Sequence, residues 1–177
     1  EDVLQLRTGD KVLISGVVYT ARDAAHQKLV ELLAKGEPWP VDLKGQIIYY
    51  VGPTPAPPGR VIGSAGPTTS GRMDAYTPAV LRRGAKALIG KGSRNQSTRQ
   101  ALKDCKGVYL AATGGAGALL SRAIKESEVV AYPELGPEAI YRLVVEDFPA
   151  IVINDAYGGD LYEEGRKKYL LELQEQR

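Results

Sequence analysis

Residues 11–19 (KVLISGVVY) are dense in β-branched side chains and break off at Thr20-Ala21-Arg22-Asp23, which reads as a helix start with Thr20 and Asp23 forming a capping box. Ala25, Leu29, Leu32 and Leu33 then recur at helical spacing, and Gly36 supplies the stop. A strand that runs straight into a helix has few architectures open to it, and the step repeats. Residues 46–51, 87–89 and 108–112 read as strands, while a helix opening near Met73 and running to about Arg83, then residues 98–104 and 117–125, read as helices. That alternation predicts an α/β fold with a partly parallel sheet. Additional strands expected at residues 60–64, 129–132, 143–145 and 150–153 make the sheet mixed, or add a second small sheet or barrel. Residues 52–59 (GPTPAPPG) form a proline-dense connection that cannot be helical. The chain closes on an amphipathic helix with Tyr162, Arg166, Tyr169, Leu170 and Leu173 along one side. At 177 residues the expectation is a single domain spanning residues 1–177.

Composition narrows the chemistry. Cys105 is the only cysteine and His26 the only histidine, so the chain cannot form an internal disulfide, a structural zinc site or a self-contained iron–sulfur cluster. No metal site is therefore assigned to this chain. A net charge of +2 is too mild for a nucleic-acid binder, and the ten tyrosines read as core or surface filler, not as a stacking platform. No apolar run approaches membrane-spanning length and the first residues do not resemble a signal peptide, so a cytoplasmic location without membrane association is expected.

The most informative segment is Gly66-Pro67-Thr68-Thr69-Ser70-Gly71-Arg72-Met73-Asp74, which gathers hydroxyls, glycines and a cation just before an apolar helical pattern. Backbone N–H groups, hydroxyls and an arginine at a helix start suit an anion. Arg22 stands at the corresponding place on the first helix, where a cation opposes the helix dipole by about 0.3–1 kcal/mol. One such arginine is as readily a solvated surface residue; two favour a shared site for a dianion. Gly90-Lys91-Gly92-Ser93 follows a strand and precedes Arg94 and Arg99, so it too can face an anion, although its spacing is not that of a P-loop. His26 lies one turn beyond Arg22 on the same face and suits an orienting role. Thr113-Gly114-Gly115-Ala116-Gly117-Ala118 departs from the dinucleotide fingerprint, with Leu120 in the third glycine position, and reads better as a tight turn with close helix–sheet packing. Val145-Glu146-Asp147-Phe148-Pro149 reads as a charged turn at a strand end, and Asn95-Gln96-Ser97 as a chance glycosylation sequon.

Taken in order, Thr20-Ala21-Arg22-Asp23-Ala24-Ala25-His26, the Gly66-to-Asp74 segment, Gly90-Lys91-Gly92 and Val145-Glu146-Asp147-Phe148-Pro149 resemble the C-terminal region of class I iron–sulfur fumarate hydratases and the β subunit of L(+)-tartrate dehydratase. The resemblance runs from about Leu4 to Leu161. It implies a mixed-sheet, swivelling β/β/α domain. It also implies a [4Fe–4S] cluster held by three cysteines of a partner α subunit, with this chain as the other wall of the active site in an α2β2 assembly. By the same resemblance Arg22, Arg72 and Lys91 bind the carboxylates of a dicarboxylate substrate, Thr68 and Thr69 contact it, and Thr68 matches the base proposed for the C3 proton. His26 and Asp74 are supporting residues, and the carboxylate that activates Thr68 is expected from the α subunit. The implied reaction is the interconversion of (S)-malate with fumarate and water. The alternatives are dehydration of tartrate to oxaloacetate and a non-catalytic carboxylate-binding module.

Overall fold

The computed structural model describes residues 2–113 and 115–175, and in it the strand–helix alternation becomes a parallel sheet. Strands β1 (Lys11–Thr20), β2 (Ile47–Tyr49), β3 (Ala87–Gly90) and β4 (Val108–Ala111) are separated in turn by helices α1 (Asp23–Ala34), α2 (Thr77–Arg82) and α3 (Gln96–Cys105). Each helix is the crossover that parallel pairing requires. The neighbours are in order, with Tyr19 opposite Ile48, Ile48 opposite Leu88, and Leu88 opposite Tyr109. The long strand β6 (Ile140–Asn154) then runs antiparallel to β1 along one side, and to β5 (Ile124–Ala131) and β4 along the other. Because β6 bonds to both β1 and β4, the ring β1-β2-β3-β4-β6 closes like a barrel. The fold is α/β with a mixed sheet, consistent with the expected β/β/α class.

The two-residue period of the strands sorts their side chains. Tyr49, Val51, Ile89, Val108 and Leu110 pack with Leu143, Val145, Phe148 and Val152 in one core. The intervening Ile48, Tyr50, Leu88 and Tyr109 join Leu29 of α1, Leu81 of α2 and Leu102 of α3 in the other. Each buried leucine in that helix layer contributes about 1.5–3 kcal/mol. Parallel strands covered on both faces read as short apolar runs without alternation, which is why β3 and β4 were legible only as such.

Several expectations are corrected. The capping box does not form: the Thr20 hydroxyl donates to the Ala139 carbonyl (3.3 Å) and accepts the Tyr141 N–H (3.0 Å), tying β1 to β6. The N-cap of α1 falls instead on Arg22, without a side-chain cap. Residues 60–64 are not a strand, because Thr54 folds that arm back on itself. Its carbonyl accepts the Gly63 N–H (3.2 Å) and its hydroxyl accepts the Ser64 N–H (2.7 Å). The helix expected at 117–125 is only α4 (Gly117–Leu120) and a 3-10 turn (Ser121–Ala123) before β5 begins, with Ile124 buried in the barrel. The strands expected at 143–145 and 150–153 are one strand, β6. The charged turn expected between them is a bulge in which Asp147 takes φ +51° and its N–H donates to the Ser15 hydroxyl (3.0 Å). The last helix, α5 (Leu161–Glu175), forms as expected but buries none of its residues. Among the described residues no helix is long and apolar enough to cross a membrane.

Candidate functional site

In parallel α/β sheets the loops beyond the carboxyl ends of the strands are where ligands bind, and the predicted site residues emerge there. Arg22 follows β1, residues 66–74 lie beyond β2, and Lys91 follows β3. The 66–74 segment is joined to the ends of β2 and β3 by a single parallel bridge. The Thr68 N–H donates to the Tyr50 carbonyl (2.7 Å), the Lys91 N–H to the Thr68 carbonyl (3.3 Å), and the Ser70 N–H to the Lys91 carbonyl (2.9 Å). Thr69 and Lys91 therefore stand side by side as a parallel bridge. Tyr49 anchors the start of the segment by donating its hydroxyl to the Ala65 carbonyl (2.6 Å). Glycines permit the close approach. A Cβ on Gly90 would strike the Ser70 hydroxyl, and one on Gly117 would strike Ser64 and the backbone of Gly66. The glycine-rich turn after β4 thus packs against this loop at Gly117, while Ala116 and Leu120 pack into the sheet's core in the close helix–sheet packing predicted; Gly114 of that turn lies outside the described residues.

The helix expected to begin at Met73 is divided, with a 3-10 turn at Ser70–Met73 preceding α2. Arg72 therefore sits on a short turn and avoids the positive end of a long helix. Its guanidinium reaches the start of α1, where Nε and Nη2 meet the two carboxylate oxygens of Asp23 at 3.3 and 2.8 Å. Arg72 is thereby brought to the helix start that Arg22 caps, with Asp23 as its counter-charge. The Arg22 side chain lies over Gly52, where an added Cβ would collide with its guanidinium, and its Nε is 3.8 Å from Glu138 Oε1. That separation is an ion pair without a hydrogen bond, and both atoms are buried with no hydrogen-bond partner among the described residues. Lys91 is exposed and has no carboxylate partner among the described residues.

Asp74 is placed differently from the rest. One of its oxygens accepts Nε–H of Arg94 (2.7 Å) and the other accepts the Asn95 N–H (2.8 Å), so neither is free to act on Thr68. Arg94 itself is fully buried between the rings of Tyr50 and Tyr109, at 5.2 and 4.8 Å from their centroids. Its outer nitrogens bond to the Tyr50 and Thr77 hydroxyls, and Thr77 in turn donates to the Met73 carbonyl (2.8 Å). Arg94 and Arg99, which follow the Gly90–Ser93 loop, do not add to an anion site. Arg94 faces Asp74, and Arg99 pairs with Asp160 and Glu163. Sequence reasoning missed Arg94 as the residue that locks the 66–74 loop to the turn after β3. The available signal was its position directly before Asn95, whose side chain accepts the Thr98 N–H (2.8 Å) and so caps α3.

His26 is completely buried, with Nδ1 donating to the Arg22 carbonyl (2.7 Å) and its ring lying against Tyr50 and Tyr76. It therefore braces the start of α1 against the segment after Asp74. Nε2 has no donor among the described residues. Burial, opposed by the bond to Arg22 and aided by the charge of Arg94, lowers the pKa of His26 to about 4. The unfolded chain takes up this proton near pH 6.5 while the folded chain resists it. Stability should be full above about pH 6.5 and fall as pH drops toward 4, by ~3 kcal/mol from this group. Urea unfolding at pH 7 and pH 4.5 should show a smaller acid loss for His26→Gln than for the unaltered chain; equal losses would remove His26 as the cause.

The fold and site together define a closed α/β domain that presents two arginines, a lysine and two threonines at one end of a parallel sheet. The sequence profile of the family described as Fumarase C-terminus matches residues 1–165, and the chain belongs to that family. It is 41% identical over 181 residues to the "Putative L(+)-tartrate dehydratase subunit beta" of Methanocaldococcus jannaschii, covering 99% of this chain and 93% of that protein. It is 40% identical over 164 residues to "Fumarate hydratase 2" of Leishmania major, covering 92% of this chain and 29% of that protein. Against "Fumarate hydratase class I, aerobic" of Escherichia coli K12 the values are 41% over 162 residues, 90% and 30%. The chain thus spans about three-tenths of the length of these fumarate hydratases but nearly all of the tartrate dehydratase subunit.

Proposed function

We propose that this chain is the β subunit of a hydro-lyase that interconverts (S)-malate with fumarate and water, its active site completed by an α subunit in an α2β2 assembly. The observation that carries this reading is that one segment, carrying Thr68, Thr69 and Arg72, is bridged to Lys91 at Thr69 and tied to the start of α1 through Arg72 and Asp23. A 2-hydroxy dicarboxylate offers two negative ends, and separated cations hold both while excluding a monocarboxylate. Eliminating water breaks the C3–H bond and the C2–O bond. As the proton leaves, charge moves onto the neighbouring carboxylate, where the fixed positive charges of Arg22, Arg72 and Lys91 stabilise it. The Thr68 backbone is fixed on both sides, to the Tyr50 carbonyl and the Lys91 N–H, which holds its half-buried side chain in place to take the proton. A threonine hydroxyl needs activation by a stronger base. With Asp74 committed to Arg94, that base is assigned to the α subunit.

The donor set of this chain does not fit an iron–sulfur cluster. It has one thiol, and among the described residues no group of three His, Cys, Asp or Glu side chains is placed to hold a metal ion. We assign the [4Fe–4S] cluster that the resemblance implies to the partner, where it would supply Lewis acidity toward the departing hydroxyl. Coverage of nearly a whole separate subunit supports the two-chain arrangement and keeps tartrate dehydration as the second reading.

The test is anaerobic co-expression with the gene's neighbour and assay of fumarate hydration beside tartrate dehydration. Turnover by this chain alone would overturn the shared site. In the active complex Thr68→Ala should lower kcat by ~100-fold or more while KM changes little. Undiminished turnover would refute Thr68 as the proton acceptor and favour a non-catalytic carboxylate-binding role.

A further inference from the structure

We infer that Asp23 is a positioning residue that fixes the Arg72 guanidinium for end-on capture of a substrate carboxylate. This rests on the reading of Arg72 as a carboxylate ligand given above. Asp23 approaches Arg72 from one side, taking Nε (3.3 Å) and Nη2 (2.8 Å). A guanidinium is a planar fork, so occupying that edge leaves the opposite one, with Nη1 and the second hydrogen of Nη2, as a pair of parallel donors. That free edge matches a carboxylate bidentately. Arg72 is otherwise loosely held, because its side chain is 52% exposed and no other carboxylate bonds it among the described residues. An arginine in that state would lose much rotamer freedom on capturing substrate. Asp23 bears that ordering in advance.

The placement of Asp23 also makes the arrangement electrostatically tenable. It is the first residue of α1, where a carboxylate is favoured by the helix dipole, and it follows Arg22 directly. Asp23 thus offsets Arg72 at a positive helix end, while Arg22 has Glu138 as its counter-charge. As an exposed ion pair it adds little to stability, so its effect should be read in binding. Two other roles make opposite predictions. If Asp23 were a counter-ion that substrate must displace, removing it would tighten binding. If it only stabilised α1, its effect would be independent of Arg72.

A double-mutant cycle in the assembled complex separates these. Asp23→Ala should raise KM by about tenfold, the size expected for losing a charge-assisted contact, with kcat changed much less. Asp23→Glu should restore part of the loss. Asp23→Ala added to Arg72→Ala should raise KM no further, because the carboxylate acts only through the guanidinium. A lower KM for Asp23→Ala, or a full additive rise in the double variant, would overturn the inference. Should Arg72→Ala itself leave KM unchanged, the assignment of Arg72 as a substrate ligand fails, and the inference about Asp23 falls with it. That result is distinguishable, because the Asp23 single variant is compared within the same cycle.

Discussion

Arg94→Leu is expected to destabilise the chain by ~3–5 kcal/mol, because it leaves Asp74 as an uncompensated buried charge. The guanidinium has no exposure, and its removal strips one oxygen of Asp74, the Tyr50 hydroxyl and the Thr77 hydroxyl of a donor at once. It also removes the cation packed between two tyrosine rings. Urea denaturation at pH 7 measures the loss, and a change below about 1 kcal/mol would show that water replaces the arginine without penalty. Combining Arg94→Leu with Asp74→Leu should recover part of the stability, since two apolar groups replace a buried pair at lower cost than one orphaned charge. The double variant would still loosen the Thr69–Lys91 bridge, because Asn95 loses its acceptor on Asp74.

Gly90→Ala is expected to be the most damaging single methyl group near the site. Its Cβ would overlap the Ser70 hydroxyl and come within 3.2 Å of Ser70 Cβ and 3.0 Å of Tyr50 Cδ2. Ser70 cannot easily turn aside, being fully buried with its hydroxyl 2.9 Å from that of Tyr109. Overpacking of this kind costs ~1–3 kcal/mol. Here the strain falls on the segment that carries Thr68 and Thr69. Activity of the complex should therefore drop by more than the fraction unfolded, with faster amide exchange at Ser70 and Lys91. A variant with parental exchange rates and turnover would show that the loop has room the geometry does not reveal.

Both effects involve contacts that no local pattern announces, and this marks what was legible in the chain. Strands β1 to β4 and helices α1 and α3 follow from β-branched runs, helical spacing and the stop at Gly36, all signals within a few residues. The cations of the site were equally visible, since Arg22, Arg72 and Lys91 stand in short, unusual motifs. Their counter-charges were not. Asp23 lies 49 residues from Arg72 in sequence, and Asp74 lies 20 from Arg94, so the choice of partner is made by the topology. The errors have the same origin. Residues 60–64 have strand composition, but Thr54 captures their backbone groups before any neighbouring strand can. Residues 145–149 look like a turn because they hold two carboxylates and a proline. Opposite β1 the chain absorbs them as a bulge, with Asp147 in a left-handed conformation and Pro149 paired with Leu13.

The ring of strands has a bearing on how the molecule behaves at high concentration. A strand with an unpaired flank is a template onto which another chain can add. Here β2, β3 and β4 have neighbours on both flanks, whereas β1 meets β2 only at Tyr19 and Thr20, and β5 has β6 alone as a neighbour. That strand reads IKESEVVA, with Lys125, Glu126 and Glu128 ahead of its apolar end. Charges at such a flank repel a second copy approaching in register. The same closure that gathers the loops at one end therefore leaves β2, β3 and β4 no open flank for a misfolded neighbour to seed upon.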